Sequence, residues 1–524
     1  MTMEQSRPVL NSASGSDRFP AIGAPTPSFW RSRSRSEKIL FLLFILTLPF
    51  IRPRVLWDGI GYYAYLRSPL IDHNFQFAGD WNKPPEKMFL LCRACSSDAK
   101  LYWNNPANEL LYVFLDGHIY VNPITKTGHL PNFYSVGPAI LWLPFVSVAH
   151  LAVLGADHLG FGIPPDGHSR PYIVAMSLGT AVYGFLGLWF SFDLAKNYME
   201  ERWAFWATLG IWFASSLPVY MYLNPSWSHA HSAFCVALFL WYWHRTRTGR
   251  TGKQWALLGV IAGLMLDVYM ANGVFFLAPA IDGIAGLAQA RVNRDLRLTF
   301  KTIQHELIFA VSALIAFSPM LIAREIVYGN PLAQGFYMNV PWNWKSPLLG
   351  KVLFSTQHGL FVWTPILLLA ILGLFALYRR DRRMAGCCML MSVAFYYLIS
   401  SDPWWYGTLS FGNRFFVSLT PIFVLGLGSL FSAAARLWPD SRTAARRLVP
   451  VTVLFILWNI GVTYQWSTHM VPTPGVVQWA DVLYDQFWTV PGRILRDVST
   501  TLVPYSHAKP EDQETKIREE AGRL

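Results

Sequence analysis

The sequence predicts an all-α fold, a polytopic transmembrane helical bundle of about 11–13 spans with a long extracytoplasmic first loop. Three observations predict it. Of 524 residues, 53% are hydrophobic and only 14% are charged, where soluble domains carry roughly 25% charged residues; the mean hydropathy is +0.29. Apolar runs of near-spanning length recur along the chain. Lys and Arg gather in the short stretches between those runs, as loops on the cytoplasmic side do.

The elements follow in order. Residues 1–38 are rich in Ser, Pro, Gly and Arg and end in RSRSRSEK, Arg31 to Lys38. They read as a disordered basic cytoplasmic arm; no small-residue cleavage site follows the next apolar run, so it is not read as a signal peptide. The transmembrane domain is expected over 39–465. Its first span starts at Ile39 and runs to about Trp57. The unbroken apolar part, Ile39–Ile51, is shorter than the roughly 20 residues a crossing needs, so Arg52 and Arg54 are expected to snorkel to the far interface. A polar first loop, 58–132, has room for short surface helices. Further apolar segments stand near Phe133–Ala156, Pro171–Phe192, Trp203–Leu223, Ser228–Trp243, Gln254–Met270, Gly273–Ala288, Leu307–Ile326, Gly359–Tyr378, Met384–Ile399, Phe415–Ala435 and Leu448–Tyr464. A polar extracytoplasmic tail, 466–524, closes the chain. No fixed-period repeat is visible, which excludes a solenoid.

The basic stretches His244–Lys253, Arg291–Arg297, Arg379–Arg383 and Arg436–Arg447 are placed on the cytoplasmic side. Asn224–Trp227, Val327–His358, Ser400–Asn413 and the Asp58 loop then face outside. With a cytoplasmic N-terminus, the crossings before Asp193 have the wrong parity. Three readings stay open: a re-entrant Phe133–Ala156, a half-crossing hidden in the first loop, or a different number of segments, with an odd total of eleven or thirteen expected.

The net charge of +12 does not point to nucleic acid, because its carriers sit in those loop clusters. Of five cysteines, Cys235, Cys387 and Cys388 lie in apolar runs and read as small core residues. Cys92 and Cys95 form one C-x-x-C in the first loop, with no second pair for a zinc site; in an oxidising compartment a local disulfide is plausible.

The chemistry-bearing residues collect at the outside ends of spans. Asp58 lies in WDGIGYY, Trp57 to Tyr63, where a carboxylate at a membrane boundary costs desolvation energy unless it has a partner or a task. Trp57, Tyr62 and Tyr63 suit the headgroup level. Asp72, His73 and Asp80 stand among aromatics in the first loop, where carboxylates accept hydrogen bonds from sugars or act as bases. In NPSWSHAH, Asn224 to His231, the two His at i and i+2 do not share a helix face, so one of them facing an anionic phosphate is the better reading than a metal pair. In SDPWWYGTLSFGNRFF, Ser401 to Phe416, Arg414 offers a guanidinium that can hold a phosphate with two oriented bonds, with Trp404 and Trp405 close in sequence. His358 in STQHGLFVWTP has the same interfacial setting. Each of these residues also has a plain structural reading: a helix cap, an interfacial anchor or a buried satisfied histidine. Asp267 and Asn272 interrupt two apolar runs and read equally as pairing between helices or as functional groups. No Walker loop, dinucleotide fingerprint or nucleophile elbow is present, so any transfer reaction needs a donor already activated on a lipid.

Four features together resemble the GT-C class of polytopic glycosyltransferases, close in style to the protein mannosyltransferase and aminoarabinose transferase families. They are W-D-G-x-G-Y-Y at Trp57–Tyr63, a long outer loop leading into NFYSVGP at Asn132–Pro138, S-x-A-H-S at Ser228–Ser232, and WWYG leading into FGNRFF at Trp404–Phe416. The resemblance covers roughly Ile39 to Tyr464. It implies a polyprenyl-phosphate sugar donor, a lipid, glycan or protein acceptor, and inverting transfer on the periplasmic or outer face of a cell inner (plasma) membrane. Asp58 would be the general base and Arg414 the donor-phosphate ligand. His229, His358, Tyr63, Asp80 and Trp405 complete the expected donor-binding set, with no metal and no cofactor. The double acid of several such families is absent, since Gly59 follows Asp58, and a His–Pro–Pro motif at the end of the first loop is also missing. The alternative class is a transporter or flippase of a lipid-linked glycan, which an internal inverted repeat or midplane polar residues would favour.

Overall fold

A computed structural model describes residues 33–56, 58–77, 80, 110–115, 118–123, 125–333, 341–408, 410–471 and 477–502. The Cys92–Cys95 pair, Trp57, the basic arm up to residue 32 and the tail beyond 502 lie outside the described residues. The chain divides into two compact units, 1–45 and 46–524.

Helix α1 spans Arg35–Thr47. Its start is a capping box: Glu37 N–H donates to Ser34 Oγ at 3.2 Å and Ser34 N–H donates to Glu37 Oε2 at 3.0 Å, which satisfies two amides the helix cannot pair itself. The first span was expected to continue to about Trp57, but it does not. Residues 51–56 are not helical, because their polar groups bind a neighbouring segment rather than each other. Arg52 N–H donates to Tyr222 O at 2.7 Å. Arg54 Nε donates to Leu223 O and Nη2 to Asn224 Oδ1, both at 2.7 Å. Arg54 is therefore bonded within the protein and does not snorkel.

Helix α2, Asp58–Arg67, opens the first loop and runs into a π-turn at Ser68–Asp72. Two short strands, β1 (Leu110–Leu115) and β2 (His118–Pro123), pair antiparallel with Leu110 opposite Pro123. They are the exception to the all-α expectation. Both runs are rich in aromatic and branched residues, and Asp-Gly stands between them in the sequence, a strong hairpin signal.

The larger helices follow: α3 (Gly137–His158), α4 (Arg170–Ala195), α5 (Glu201–Phe213), α6 (His229–Arg245), α7 (Gly252–Val268), α8 (Leu277–Asn293), α9 (Leu296–Tyr328), α10 (Ile366–Tyr378), α11 (Arg382–Ser401), α12 (Thr420–Ala434) and α13 (Ser441–Ser467). Each matches one of the apolar segments read from the sequence. Among the described residues seven helices are long and apolar enough to cross a membrane: α3, α4, α9, α11, α13, and α8 and α12 counted with their flanking 3-10 turns. The chain is a multi-pass membrane protein. Asp295, Asp381 and Asp440 cap α9, α11 and α13 by accepting amides of the first turn, and Thr251 with Gln254 forms a capping box on α7. Beyond Ser467, Trp479–Tyr484 and Val490–Leu502 are helical.

Helix association here cannot rely on apolar burial, because lipid is as apolar as leucine; close backbone approach replaces it. Gly259 and Gly263, one turn apart on α7, show how. A Cβ on Gly259 would lie 2.4 Å from Phe309 O, and one on Gly263 would lie 2.3 Å from Ala313 O. Only the missing side chains let α7 and α9 meet.

Helix α3 lies antiparallel to α4, with Trp142 Nε1 donating to Thr180 Oγ1 at 2.8 Å and His150 Nδ1 bonded to the Tyr172 hydroxyl at 2.7 Å. Just before α3, Tyr134 bonds Asp58; just before α4, Gly167 O accepts from Tyr63 and Asp166 O from Arg67. All three partners lie on α2, ten residues and so about 15 Å long, half the ~30 Å of a bilayer core. Both ends of the 134–167 stretch thus meet α2. The basic clusters then gather at the opposite end. Arg250 and Arg383 both pair with Asp282, and Arg247 pairs with Asp381.

Candidate functional site

At the other end of α6, residues from three segments distant in sequence converge around Asp58. Its Oδ2 lies 2.7 Å from Arg414 Nη1, and its Oδ1 accepts from the Tyr134 hydroxyl at 3.1 Å. The Asp58 side chain keeps 26% exposure and the Arg414 side chain 9%. One group is open to a ligand and the other is held from behind.

The glycines of WDGIGYY explain how Asp58 reaches this place. A Cβ on Gly59 would stand 2.0 Å from Ser226 Oγ, and one on Gly61 would stand 2.0 Å from Tyr134 Cδ2. Bare backbone at both positions lets α2 lie against the 226 segment on one side and against Tyr134 on the other. Leu56 O accepts from Trp227 Nε1 at 3.0 Å, which fastens the residues just ahead of Asp58 to the same segment.

Arg414 opens a 3-10 turn, Arg414–Leu419, that leads into α12. Its guanidinium carbon lies 4.4 Å from the Trp227 ring centroid and 5.3 Å from that of Phe415. Stacking on an indole stabilises a cation by about 0.5–2 kcal/mol and fixes the plane of the fork, so its donors point one way. His229 sits in the same aromatic wall, edge-on to Tyr220 at 4.8 Å and 6.2 Å from the Phe415 ring. His231 faces away into the core against Trp142 at 5.0 Å. The i, i+2 separation of the two histidines therefore holds. Tyr62 accepts from Ser228 Oγ at 3.1 Å and lies edge-on to Tyr134 at 4.9 Å; burial, then the Asp58 charge, raises its hydroxyl to about 12.

His358 stacks on Trp363 at 5.2 Å. Burial, then the charge of Arg414, lowers its imidazole to about 3, so at neutral pH it is an uncharged donor and acceptor. Its backbone is held at φ 148°, a conformation that costs on the order of 1–3 kcal/mol for a residue with a Cβ and that clusters at ligand-binding places. Asp402, at the end of α11, is raised to about 6 by burial. Trp405 is buried, and its carbonyl accepts from Asn413 Nδ2 at 3.1 Å. With Tyr406 it forms one side of an open cleft of about 440 Å³, faced by Lys351, Ser355 and Gln357.

Tyr63 and Asp80 belong to a separate network. Tyr63 donates to Gly167 O at 2.7 Å. Asp80 is buried beside Arg67 at 3.5 Å and Ser68 at 3.3 Å, and burial raises its carboxyl to about 6. Arg67 also pairs with Asp72 at 2.6 Å, so this network ties α2 to the first loop and to the 166–168 turn. Asn272 pairs helices: its Nδ2 donates to Ser232 Oγ at 2.8 Å, and Ser232 bonds Ser418 at 2.7 Å. Asp267 is fully buried at the end of α7. Among the described residues no three His, Cys, Asp or Glu side chains come together to hold a metal.

Sequence reasoning missed Tyr134 and Trp227, although both lie in motifs it marked, NFYSVGP and NPSWSHAH. The signal was present in the aromatic beside each polar position, but nothing local distinguishes an aromatic that positions a charge from one that anchors a helix.

No protein-family model and no curated protein matches the sequence. Among solved structures the chain is similar to the crystal structure of ArnT from Cupriavidus metallidurans bound to undecaprenyl phosphate, at 13% identity and a TM-score of 0.43, over 88% of this chain and 75% of that one. It is also similar to the apo state of the same protein, at 14% identity and a TM-score of 0.40, over 86% and 74% of the two chains.

Proposed function

We propose that this protein is a membrane glycosyltransferase. It takes a sugar from a polyprenyl-phosphate donor and transfers it with inversion to an acceptor hydroxyl on the extracytoplasmic face. The observation that carries this reading is the 2.7 Å contact between Asp58 and Arg414, at the end of the bundle opposite the basic loops. Single displacement needs a base for the acceptor proton and a cation for the departing phosphate.

The ion pair also sets the order of events. Asp58 occupies the guanidinium face that a phosphate would take. Donor binding exchanges one anion for the other on Arg414 and releases the carboxylate, which Tyr134 continues to orient. The acceptor hydroxyl gives its proton to Asp58 as its oxygen bonds to the anomeric carbon, while the bond from that carbon to the phosphate oxygen breaks. The electron pair leaves with the polyprenyl phosphate, and Arg414 offsets the added charge. Attack and departure lie on opposite sides of the sugar, so base and cation have to separate by about the width of a sugar ring during turnover. In this reading His358, uncharged at neutral pH, and His229 hydrogen-bond the donor. Trp405, on the 440 Å³ cleft, offers the aromatic wall of a saccharide path.

The test is incubation of the purified chain in nanodiscs with a panel of radiolabelled polyprenyl-phosphate sugars and lipid, glycan and peptide acceptors. Transfer by wild type and none by Asp58→Asn supports the reading. Movement of lipid-linked glycan across proteoliposomes without any glycosidic bond formed replaces it with transport.

A further inference from the structure

Arg54, His168 and Arg170 line a cleft of about 400 Å³ together with Pro53, Val55 and Ile173. No residue of the Asp58–Arg414 cluster lines it. Half of its lining is cationic or can become so, and half is apolar. That composition suits an anion attached to a hydrocarbon.

Each basic group is placed rather than merely present. The 2.7 Å bonds from Arg54 Nε and Nη2 to Leu223 O and Asn224 Oδ1 fix that guanidinium and leave Nη1 with no partner among the described residues. Burial, then the like charge of Arg52, lowers Arg54 to about 10. It remains protonated at neutral pH, in surroundings that an anion would improve. His168 is set by its turn: Asp166 Oδ1 accepts the amides of His168 and Ser169, each at 2.8 Å, which occupies that carboxylate. Asp80 Oδ1 lies 3.8 Å from His168 Nε2. Arg170 is the first residue of α4 and has no side-chain partner among the described residues. The positive end of a 26-residue helix adds its own attraction for an anion. Because α4 is long and apolar enough to span a membrane, its first residue belongs at the headgroup level.

We infer that this cleft binds the phosphate group of an anionic ligand at the membrane boundary, at a site distinct from the donor phosphate on Arg414. The Nη1 of Arg54, the Arg170 fork and the His168 ring match the oxygens of a phosphate, and Val55 and Ile173 match the start of an acyl chain. The site does not depend on the transfer reaction, so its test is binding alone.

The background for the test is the full-length Asp58→Asn/Arg414→Gln protein, which carries no second phosphate clamp. Native mass spectrometry follows titration with phosphatidic acid and, separately, with phosphatidylcholine. Phosphatidic acid is expected to bind about tenfold or more tightly than phosphatidylcholine, the scale of one charge-assisted hydrogen bond. Adding Arg170→Gln is expected to erase the preference, and Arg170→Lys to keep most of it. Competition by millimolar inorganic phosphate assigns recognition to the phosphate group alone; persistence of lipid binding against it assigns the lipid headgroup. Equal binding with and without Arg170→Gln, at unchanged thermal unfolding, overturns the site, as does a background protein that does not distinguish the two lipids.

Discussion

Asp58 Oδ2 and Arg414 Nη1 touch at 2.7 Å, although one opens the first helix after the first span and the other opens the penultimate transmembrane segment. Tyr134 holds the acid from one side and Trp227 holds the base from the other. A partly buried pair of this kind couples stability and function through the same atoms, and variants can separate the two.

Asp58→Asn leaves Arg414 without its counter-charge, and removing one partner of a buried pair costs up to about 3–5 kcal/mol. The residual exposure of Asp58 places the expected loss at the lower end. Asp58→Asn/Arg414→Gln and the charge swap Asp58→Arg/Arg414→Asp should each recover part of that stability in thermal unfolding. All three should lose transfer by at least about 100-fold, the contribution of a positioned base. A charge swap that transfers sugar at the wild-type rate sinks the assigned roles.

Trp227→Phe keeps a face under the guanidinium and Trp227→Leu removes it. The second variant is expected to weaken donor binding by roughly 1–2 kcal/mol, the scale of a desolvated cation–π contact, with Trp227→Phe losing less. Donor KM is the readout. Equal effects of Phe and Leu would mean that the ring fills space only.

Gly61→Ala drives a methyl into Tyr134, whose Cδ2 would lie 2.0 Å away. Tyr134 can yield only by giving up its bond to Asp58. Overpacking typically costs about 1–3 kcal/mol, and activity should fall with stability. Gly155→Ala on α3 meets nothing within 4 Å and should be neutral or stabilising by under about 1 kcal/mol. Comparable losses in the two variants, measured by thermal unfolding and transfer rate, would contradict the packing.

Asp80 gives a pH dependence. Its folded value, about 6, lies above the unfolded 3.8 because burial disfavours the charge. The folded state therefore binds the proton more tightly. The stabilisation is fully present below about pH 4 and is lost as pH rises through about 6. The difference sets a ceiling of about 3 kcal/mol, and Asp402, also raised to about 6 by burial, adds in the same direction. Asp80→Asn should flatten the fall in unfolding temperature between pH 4 and 6. An unchanged slope would show that Asp80 does not titrate in that window.

Much of the fold was legible because the preference for lipid is a local property. An apolar run such as Leu448–Tyr464 is long enough or it is not, and α13 covers it whatever surrounds it. The end of the first span was not, because residues 51–56 give up helical bonds only where Tyr222, Leu223 and Ser226 offer others. The site divided in the same way. Asp58 and Arg414 were marked by their position at span ends, as polar groups that a membrane boundary penalises. Tyr63 and Asp80 had the same local look, yet the structure puts them in the Arg67 network.

From its sequence alone this chain is committed to a membrane, to a set of helices in order, and to polar groups crowded at one end. Those outcomes follow from composition over windows of about twenty residues. Which acid meets which base, and which aromatic sits behind each, was decided by tertiary packing. Glycines at 59 and 61 bring α2 within contact of segments far along the chain, and a contact set by shape between distant segments leaves no period in the sequence to read.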